Sequence, residues 1–249
     1  MRIGTAGWGI PRELHDRFPG AASHLERYAR VLDAAEINST FHRSHRASTY
    51  ERWAKSVPAR FRFSVKLPRS ITHDARLAGT GRLLDSFLRE IEPLRPKVGC
   101  LLVQLPPSLQ WDARIARRFV AALRSRYPGP IALEPRHESW FVDSVDVFLE
   151  RERITRVAAD PPKASRGGEP GGWRGLAYYR LHGSPRVYYS SYDDAFLDPL
   201  ATRLRQHRRA GTECWCILDN TTLGAGTRNA LELAQKVRAA RAARNPADD

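Results

Sequence analysis

Lysine is scarce in a chain that is otherwise rich in positive charge. Only Lys55, Lys66, Lys97, Lys163 and Lys236 occur, so 36 of the 41 basic residues are arginine. Cysteine is scarcer still, at Cys100, Cys214 and Cys216. An odd number without a disulfide framework excludes a stapled secreted scaffold and fits a reducing cytoplasm. Cys214 and Cys216 lie two apart in an apolar run, where both side chains share a strand face and read as buried thiols rather than metal ligands. No apolar run approaches the roughly 20 residues needed to span a bilayer, so no membrane partner is expected. Met1-Arg2 leads straight into Ile3-Gly4-Thr5, and no signal peptide is expected. Also missing are a Walker loop, a GxGxxG turn, an HExxH helix and an HxH pair, which removes the usual routes to nucleotide cofactors and to zinc.

What is present fits one domain over residues 1–249. That length suits a single eight-fold β/α barrel, and 42% hydrophobic residues suffice for a sizeable core. The formal charge of +14 and pI near 10.4 invite a polyanionic partner. Yet the arginines are spread along the chain, and with the abundant alanine they look partly like the codon bias of a GC-rich genome. Residues from about 238 to 249, with Arg238, Arg241 and Arg244, read as a frayed basic tail. Nucleic acid therefore stays a candidate partner beside a small anionic substrate.

Eight short runs read as strands: Arg2–Thr5, Ala35–Asn38, Arg62–Lys66, Val98–Gln104, Ile131–Glu134, Thr155–Ala158, Ala177–Leu181 and Cys214–Leu218. Between most of them lie stripes at helical spacing, such as Leu25, Tyr28, Ala29 and Leu32, then Leu84, Phe87, Leu88 and Ile91, then Ile115, Phe119 and Leu123. Shorter ones follow at Phe148 and Leu149, at Leu200 and Leu204, and at Leu231, Ala234 and Val237. The alternation predicts βα units around a parallel sheet, an α/β fold of the (β/α)8 TIM-barrel type. The sixth β-to-β crossover is irregular. Pro161, Pro162, Pro170, Gly167-Gly168 and Gly171-Gly172 make residues 160–175 a loop rather than a helix.

Strand after strand ends in a charged or amide residue. Residues two apart share a strand face, so Glu36 goes with Asn38, Ser64 with Lys66, Ala132 with Glu134, and Arg180 with His182. The interleaved Ile37, Val65, Leu133 and Leu181 are then covered by helices. All the polar sets turn toward the barrel lumen, and a parallel barrel keeps its chemistry at the C-terminal ends of its strands.

At the level of motifs, several blocks together resemble one family. They are Gly4-Thr5-Ala6-Gly7-Trp8, Glu36-Ile37-Asn38-Ser39-Thr40-Phe41, Phe63-Ser64-Val65-Lys66, Thr72-His73, Gln104-Leu105-Pro106-Pro107-Ser108, Glu134-Pro135-Arg136-His137-Glu138-Ser139-Trp140, Arg180-Leu181-His182-Gly183 and Asp219-Asn220-Thr221. The combination is similar to the YecE-like family, domain of unknown function seventy-two. That resemblance implies a TIM barrel, a bacterial and cytoplasmic setting, and no assigned reaction. The chain departs from the family pattern at Ala6, where serine is common, and at His42, where an aromatic is common. A more distant likeness to metal-using sugar isomerases and apurinic endonucleases adds a metal-dependent phosphodiesterase as an alternative.

The leading expectation is an enzyme using acid–base chemistry on a small anionic or phosphorylated substrate, such as a sugar derivative, at the C-terminal mouth. Glu134, His182 and Glu36 are the candidate catalytic residues, because carboxylate and imidazole groups at strand ends suit proton transfer. Arg136, Arg180 and Lys66 are candidate anion holders, Arg136 through two parallel hydrogen bonds or else as a partner of Glu134 or Glu36. Lys66, beside other cations, can titrate low enough to attack a carbonyl, or serve as counter-ion to Glu36. Asn38, Gln104, His137 and Asp219 complete the polar lining. Trp8, Trp140, Tyr188, Tyr189 and Tyr192 fall on loops after strands, where they suit sugar rings or unstacked bases, or a hydrophobic rim. Trp53, Trp111, Trp173 and Trp215 read as packing. No cofactor is expected; a divalent metal held by carboxylates, drawn from Glu36, Glu134, Asp160, His182 and Asp219, stays open.

Overall fold

A computed structural model describes residues 1–242. Ten strands are formed: β1 (Arg2–Ala6), β2 (Ala34–Ile37), β3 (Arg62–Lys66), β4 (Val98–Gln104), β5 (Ile131–Glu134), β6 (Ile154–Arg156), β7 (Ala158–Asp160), β8 (Gly171–Gly172), β9 (Leu176–Leu181) and β10 (Glu213–Leu218). They make one sheet in the order β7-β9-β10-β1-β2-β3-β4-β5-β6-β8. Every pairing is parallel except that of β8 with β6. Only Val157 separates β6, which pairs with β5, from β7, which pairs with β9. One split strand thus joins the two ends of the order, and the architecture is a (β/α)8 barrel.

Among the described residues seven α-helices clothe it: α1 (His24–Val31), α2 (Ala47–Lys55), α3 (Gly81–Glu90), α4 (Ala113–Arg124), α5 (Asp143–Arg151), α6 (Asp194–Arg209) and α7 (Ala225–Ala242). Their starts have local causes. Ser23 and Glu26 form a reciprocal capping box at α1, and Asp112 accepts from the backbone N–H of Arg114 and Ile115 at α4. α2 carries no stripe in the sequence because Tyr50 is its one buried residue. At the other end, α7 continues through residues 238–242 where a frayed tail was expected, in keeping with the helix propensity of its alanines. Residues 243–249, with Arg244, lie outside the described residues. Among the described residues no helix is long and apolar enough to cross a membrane.

The sixth crossover lacks a helix. In its place the backbone N–H of Ala159 donates to Gly167, and β8 lies against β6. Gly172 makes that approach with φ +63°, and a Cβ there would stand 2.6 Å from the Ile154 carbonyl. The expected strand Thr155–Ala158 is therefore two pieces, because the loop takes hydrogen bonds that an unbroken strand would use.

The barrel wall separates two apolar layers. Ile37, Val65, Leu133, Leu181, Cys214 and Cys216 belong to the main core under the helices. Ala34, Cys100, Leu102, Ala132, Tyr178, Trp215 and Ile217 form a separate cluster in the lumen. Trp215 stacks on Tyr178 at 6.0 Å and fills the N-terminal end of the lumen. Each large apolar side chain so buried contributes about 1.5–3 kcal/mol. With the lower lumen filled this way, polar side chains are confined to its upper end.

Candidate functional site

Parallel register brings distant residues to one level. Gln104 lies opposite Glu134, and Glu36 opposite Ser64. Arg180 points into the lumen from β9, and His182 follows one residue beyond its end. Glu36, Glu134, Arg180 and His182 are completely buried, and Asp219 nearly so.

Arg180 is the hub. Its Nε and Nη2 donate to the two oxygens of Glu36 at 3.0 and 2.7 Å, and its Nη1 donates to Glu134 at 3.2 Å. Nη2 also lies 3.0 Å from Asp219 Oδ2. One guanidinium therefore holds carboxylates from β2 and β5 and from the residue that follows β10. Burial would lower the pKa of Arg180, but Asp219, Glu36 and Glu134 together raise it well above the usual value. Below it, Tyr178 donates to Ser64 at 2.8 Å and to Glu36 at 3.3 Å.

His182 sits between two of these carboxylates. Nε2 is 2.8 Å from Glu134 Oε1, and Nδ1 is 2.9 Å from Asp219 Oδ2. Arg136 donates to the same Glu134 oxygen at 2.7 Å, and its Nη1 lies 2.9 Å from His182 Nε2. Gln104 adds a longer contact of 3.3 Å. Although burial pushes the Glu134 carboxyl up, His182, Arg180 and Arg136 outweigh it and hold it well below the ordinary range. The same holds for Asp219, where Arg180, His182 and Lys66 overcome burial.

Those depressed values set an acid limit. Glu134 and Asp219 contribute their full stabilisation above the unfolded carboxylate values, about 4.3 and 3.9. That contribution is lost as pH falls through their lower folded values. Acid titration followed by circular dichroism is expected to leave the fold intact down to about pH 4 and to unfold it below that. Loss of structure beginning near pH 6 would mean that other groups govern the transition.

Above this cluster a cleft of about 490 Å³ opens at the C-terminal mouth. Lys66, Arg136, Asn38, Gln104 and Asp219 line it, with Tyr188 at its rim. Lys66 is only 6% exposed, and its Nζ stands 4.1 Å from the centre of the Phe41 ring. It makes no ion pair among the described residues, since Glu36 is bound by Arg180 rather than by Lys66. Burial first, then Arg180, lowers the Lys66 pKa from 10.5 to about 8, with Glu36, Glu134 and Asp219 opposing. The counter-ion role is thus filled by Arg180, and Lys66 faces the cleft.

Some expected residues stand elsewhere. His137 Nδ1 accepts from the Ser139 backbone N–H and caps the turn Glu138–Trp140. Trp140 is buried, donates to the Leu109 carbonyl at 2.9 Å and packs edge-on against Trp111. Trp8 lies edge-on against Trp53 at 5.0 Å and against Phe63. None of the three lines the cleft. Tyr192 is buried and donates to Asp160, while Tyr189 lies under the Arg186 guanidinium. Conversely, Phe41, His42, His73, Thr221 and Thr222 line the cleft without having been singled out as site residues. Phe41, His73 and Thr221 stood in the motif blocks and His42 at a departure from them, whereas Thr222 had only its position in a loop after a strand end. His73 is pushed down by burial, then by Lys66 and Arg69.

A larger hollow of about 540 Å³ lies around β8, where the sixth helix is missing. Four of the charged groups in its lining pair with one another. Arg156 donates to both oxygens of Asp146 at 2.8 and 3.2 Å, and Arg166 pairs with Asp143 and Asp146. The cleft at the mouth, with its unpaired lysine, is the better candidate for binding.

A divalent cation does not suit these donors. Among the described residues no three His, Cys, Asp or Glu side chains are placed to hold a metal ion. Glu36, Glu134 and Asp219 converge on Arg180, and a metal would have to displace that guanidinium. Asp160 accepts from Tyr192 and lies outside the group.

The family model described as "Protein of unknown function DUF72" matches residues 2–249. The chain belongs to the DUF72 family. It is 32% identical to "UPF0759 protein YecE" of Escherichia coli (strain K12) over 171 residues, which cover 64% of this chain and 61% of that protein. It is 26% identical to "UPF0759 protein YunF" of Bacillus subtilis over 68% of this chain and 63% of that one. The chain therefore spans about three fifths of the length of these relatives. A DUF72 protein of Thermotoga maritima superposes with a TM-score of 0.77 at 24% identity, covering 95% of this chain and 98% of the other. One from Enterococcus faecalis gives 0.77 at 21%, covering 96% and 97%. At such identities the solved DUF72 structures establish the barrel and nothing finer.

Proposed function

We propose that this DUF72 protein is an enzyme that binds a small anionic or phosphorylated substrate in the cleft at the barrel mouth and acts on it by acid–base chemistry. The observation that carries the reading is Lys66, unpaired among the described residues, at a cleft whose carboxylates are already held by Arg180 and His182. The cleft therefore presents the Lys66 ammonium, with the carboxylates bound elsewhere, to whatever enters. Lys66 and Arg136 hold the anion, and the amides of Asn38 and Gln104 orient it. Asn38 Oδ1 is buried without a hydrogen-bond partner, which leaves an acceptor for a substrate hydroxyl once the side chain turns.

Lys66, with its pKa about 8, moves the proton, because a group that titrates near neutrality can both take and return one. Glu134 and His182, completely buried behind Arg136, act as positioning residues that fix Arg136 and Asp219. The free, buried cysteines fit a reducing compartment, and a cytoplasmic setting belongs to the same reading.

Calorimetric titration with inorganic phosphate tests the site. Binding at one site is expected, weakened about tenfold in Arg136→Ala, which corresponds to about 1.4 kcal/mol. No saturable binding, or equal affinity in the variant, contradicts the assignment.

A further inference from the structure

We infer that Lys66 is an amine nucleophile, and that the substrate is a small aldehyde or ketone carrying a carboxylate or phosphate, held as an imine on Lys66. This rests on the reading of the cleft as an anion site and names the substrate class. Three features of the structure converge on it. Lys66 comes from the rigid end of β3 and is buried, so its Nζ is presented at a fixed place on the cleft floor. No carboxylate pairs with it among the described residues, so its lone pair is not tied up by an ion pair once the proton leaves. Burial also keeps water from the amine, which favours its neutral form over the ammonium and outweighs the attraction that the Phe41 ring face at 4.1 Å exerts on the charge. Arg136 stands on the same cleft to take the anionic end of the substrate while the carbonyl end reaches Lys66.

Around these groups the chemistry balances. The Lys66 ammonium first gives its proton to water in the cleft, a loss made easier by its burial. The amine lone pair then forms a C–N bond to the carbonyl carbon as the C=O π pair moves to oxygen, which takes up a proton. Loss of water from that carbinolamine gives the protonated imine. Overall an ammonium and a carbonyl become an iminium and one water, with no oxidant or reductant. The cationic imine draws electrons from the neighbouring carbon, so bond cleavage or proton exchange at that carbon is the reaction class it serves.

Reductive trapping tests this on the intact protein. Glyoxylate or glycolaldehyde phosphate is added with cyanoborohydride at pH 7, uncharged glycolaldehyde serves as control, and adducts are mapped by peptide mass spectrometry. The reagent's hydride goes to the imine carbon and leaves a stable secondary amine. The expected result is labelling of Lys66 by either anionic aldehyde at least about tenfold faster than of exposed Lys55, with inorganic phosphate protecting Lys66 alone. Labelling confined to Lys55 and the other surface amines overturns the inference, and equal labelling of Lys66 by uncharged glycolaldehyde overturns the anionic class. The phosphate titration separates the failures. Saturable phosphate binding with an unlabelled Lys66 removes the imine and keeps the anion site, whereas loss of both removes the two together.

Discussion

Arg180→Met is expected to lower the thermal unfolding temperature by about 6–20 °C. Breaking a buried ion pair by removing one partner costs about 3–5 kcal/mol. For a chain of this size each kcal/mol shifts the midpoint by about 2–4 °C. The expectation lies toward the upper end because Arg180 holds Glu36, Glu134 and Asp219 at once. Methionine keeps much of the volume, so the loss reports the stranded carboxylates rather than a cavity. Those carboxylates then recover part of the cost by binding protons, and the variant is expected to gain stability relative to wild type as pH falls toward 5. Calorimetric melting at pH 7 and pH 5 checks both statements. A shift of less than about 2 °C at pH 7 would show that water reaches the carboxylates and the hub is not closed.

Lys66→Met is expected to change stability in the opposite direction. A folded pKa about 8 against the ordinary 10.5 means that keeping the ammonium charged in the folded state costs about 3 kcal/mol at neutral pH. Methionine removes the charge and keeps the stem, so the melting temperature is expected to rise by about 6–12 °C at pH 7. The sign follows from proton binding. Below pH 8 both states of the wild type hold the proton, and the full cost is present. Between about 8 and 10.5 the folded chain releases it first, so wild-type stability gains on the variant as pH rises through that window. Measuring both proteins from pH 7 to pH 10 should show the gap closing. A destabilised variant would mean that Lys66 serves as a counter-ion to the buried carboxylates after all. A residue that lowers stability and faces a cleft is the pattern expected of a functional group.

Much of this arrangement is legible in the sequence because a strand alternates strictly. Glu36, Ser64, Glu134, Arg180 and His182 face the lumen since Ile37, Val65, Leu133 and Leu181 face the helices. The proline- and glycine-rich stretch after Asp160 likewise marks the crossover without a helix. What alternation does not carry is partnership across the lumen. Glu36 and Arg180 are 144 positions apart, and only closure of the barrel brings them to 2.7 Å. With Arg180 committed to three carboxylates, Lys66 is left without an ion pair among the described residues, which reverses the roles that the strand ends suggest one at a time. Loop aromatics are equally opaque. Trp8 and Trp140 follow strands as mouth residues do, yet they pack onto Trp53 and Trp111 because nearby helices and loops offer apolar partners.

The most direct test is phosphate titration of Lys66→Met beside the wild type at pH 7 and two salt concentrations. The account predicts that the stabilised variant loses at least about tenfold in affinity, and that wild-type binding weakens as salt rises. Equal affinity in the two proteins, with the variant folded, would contradict the assignment of the cleft as an anion site built on Lys66.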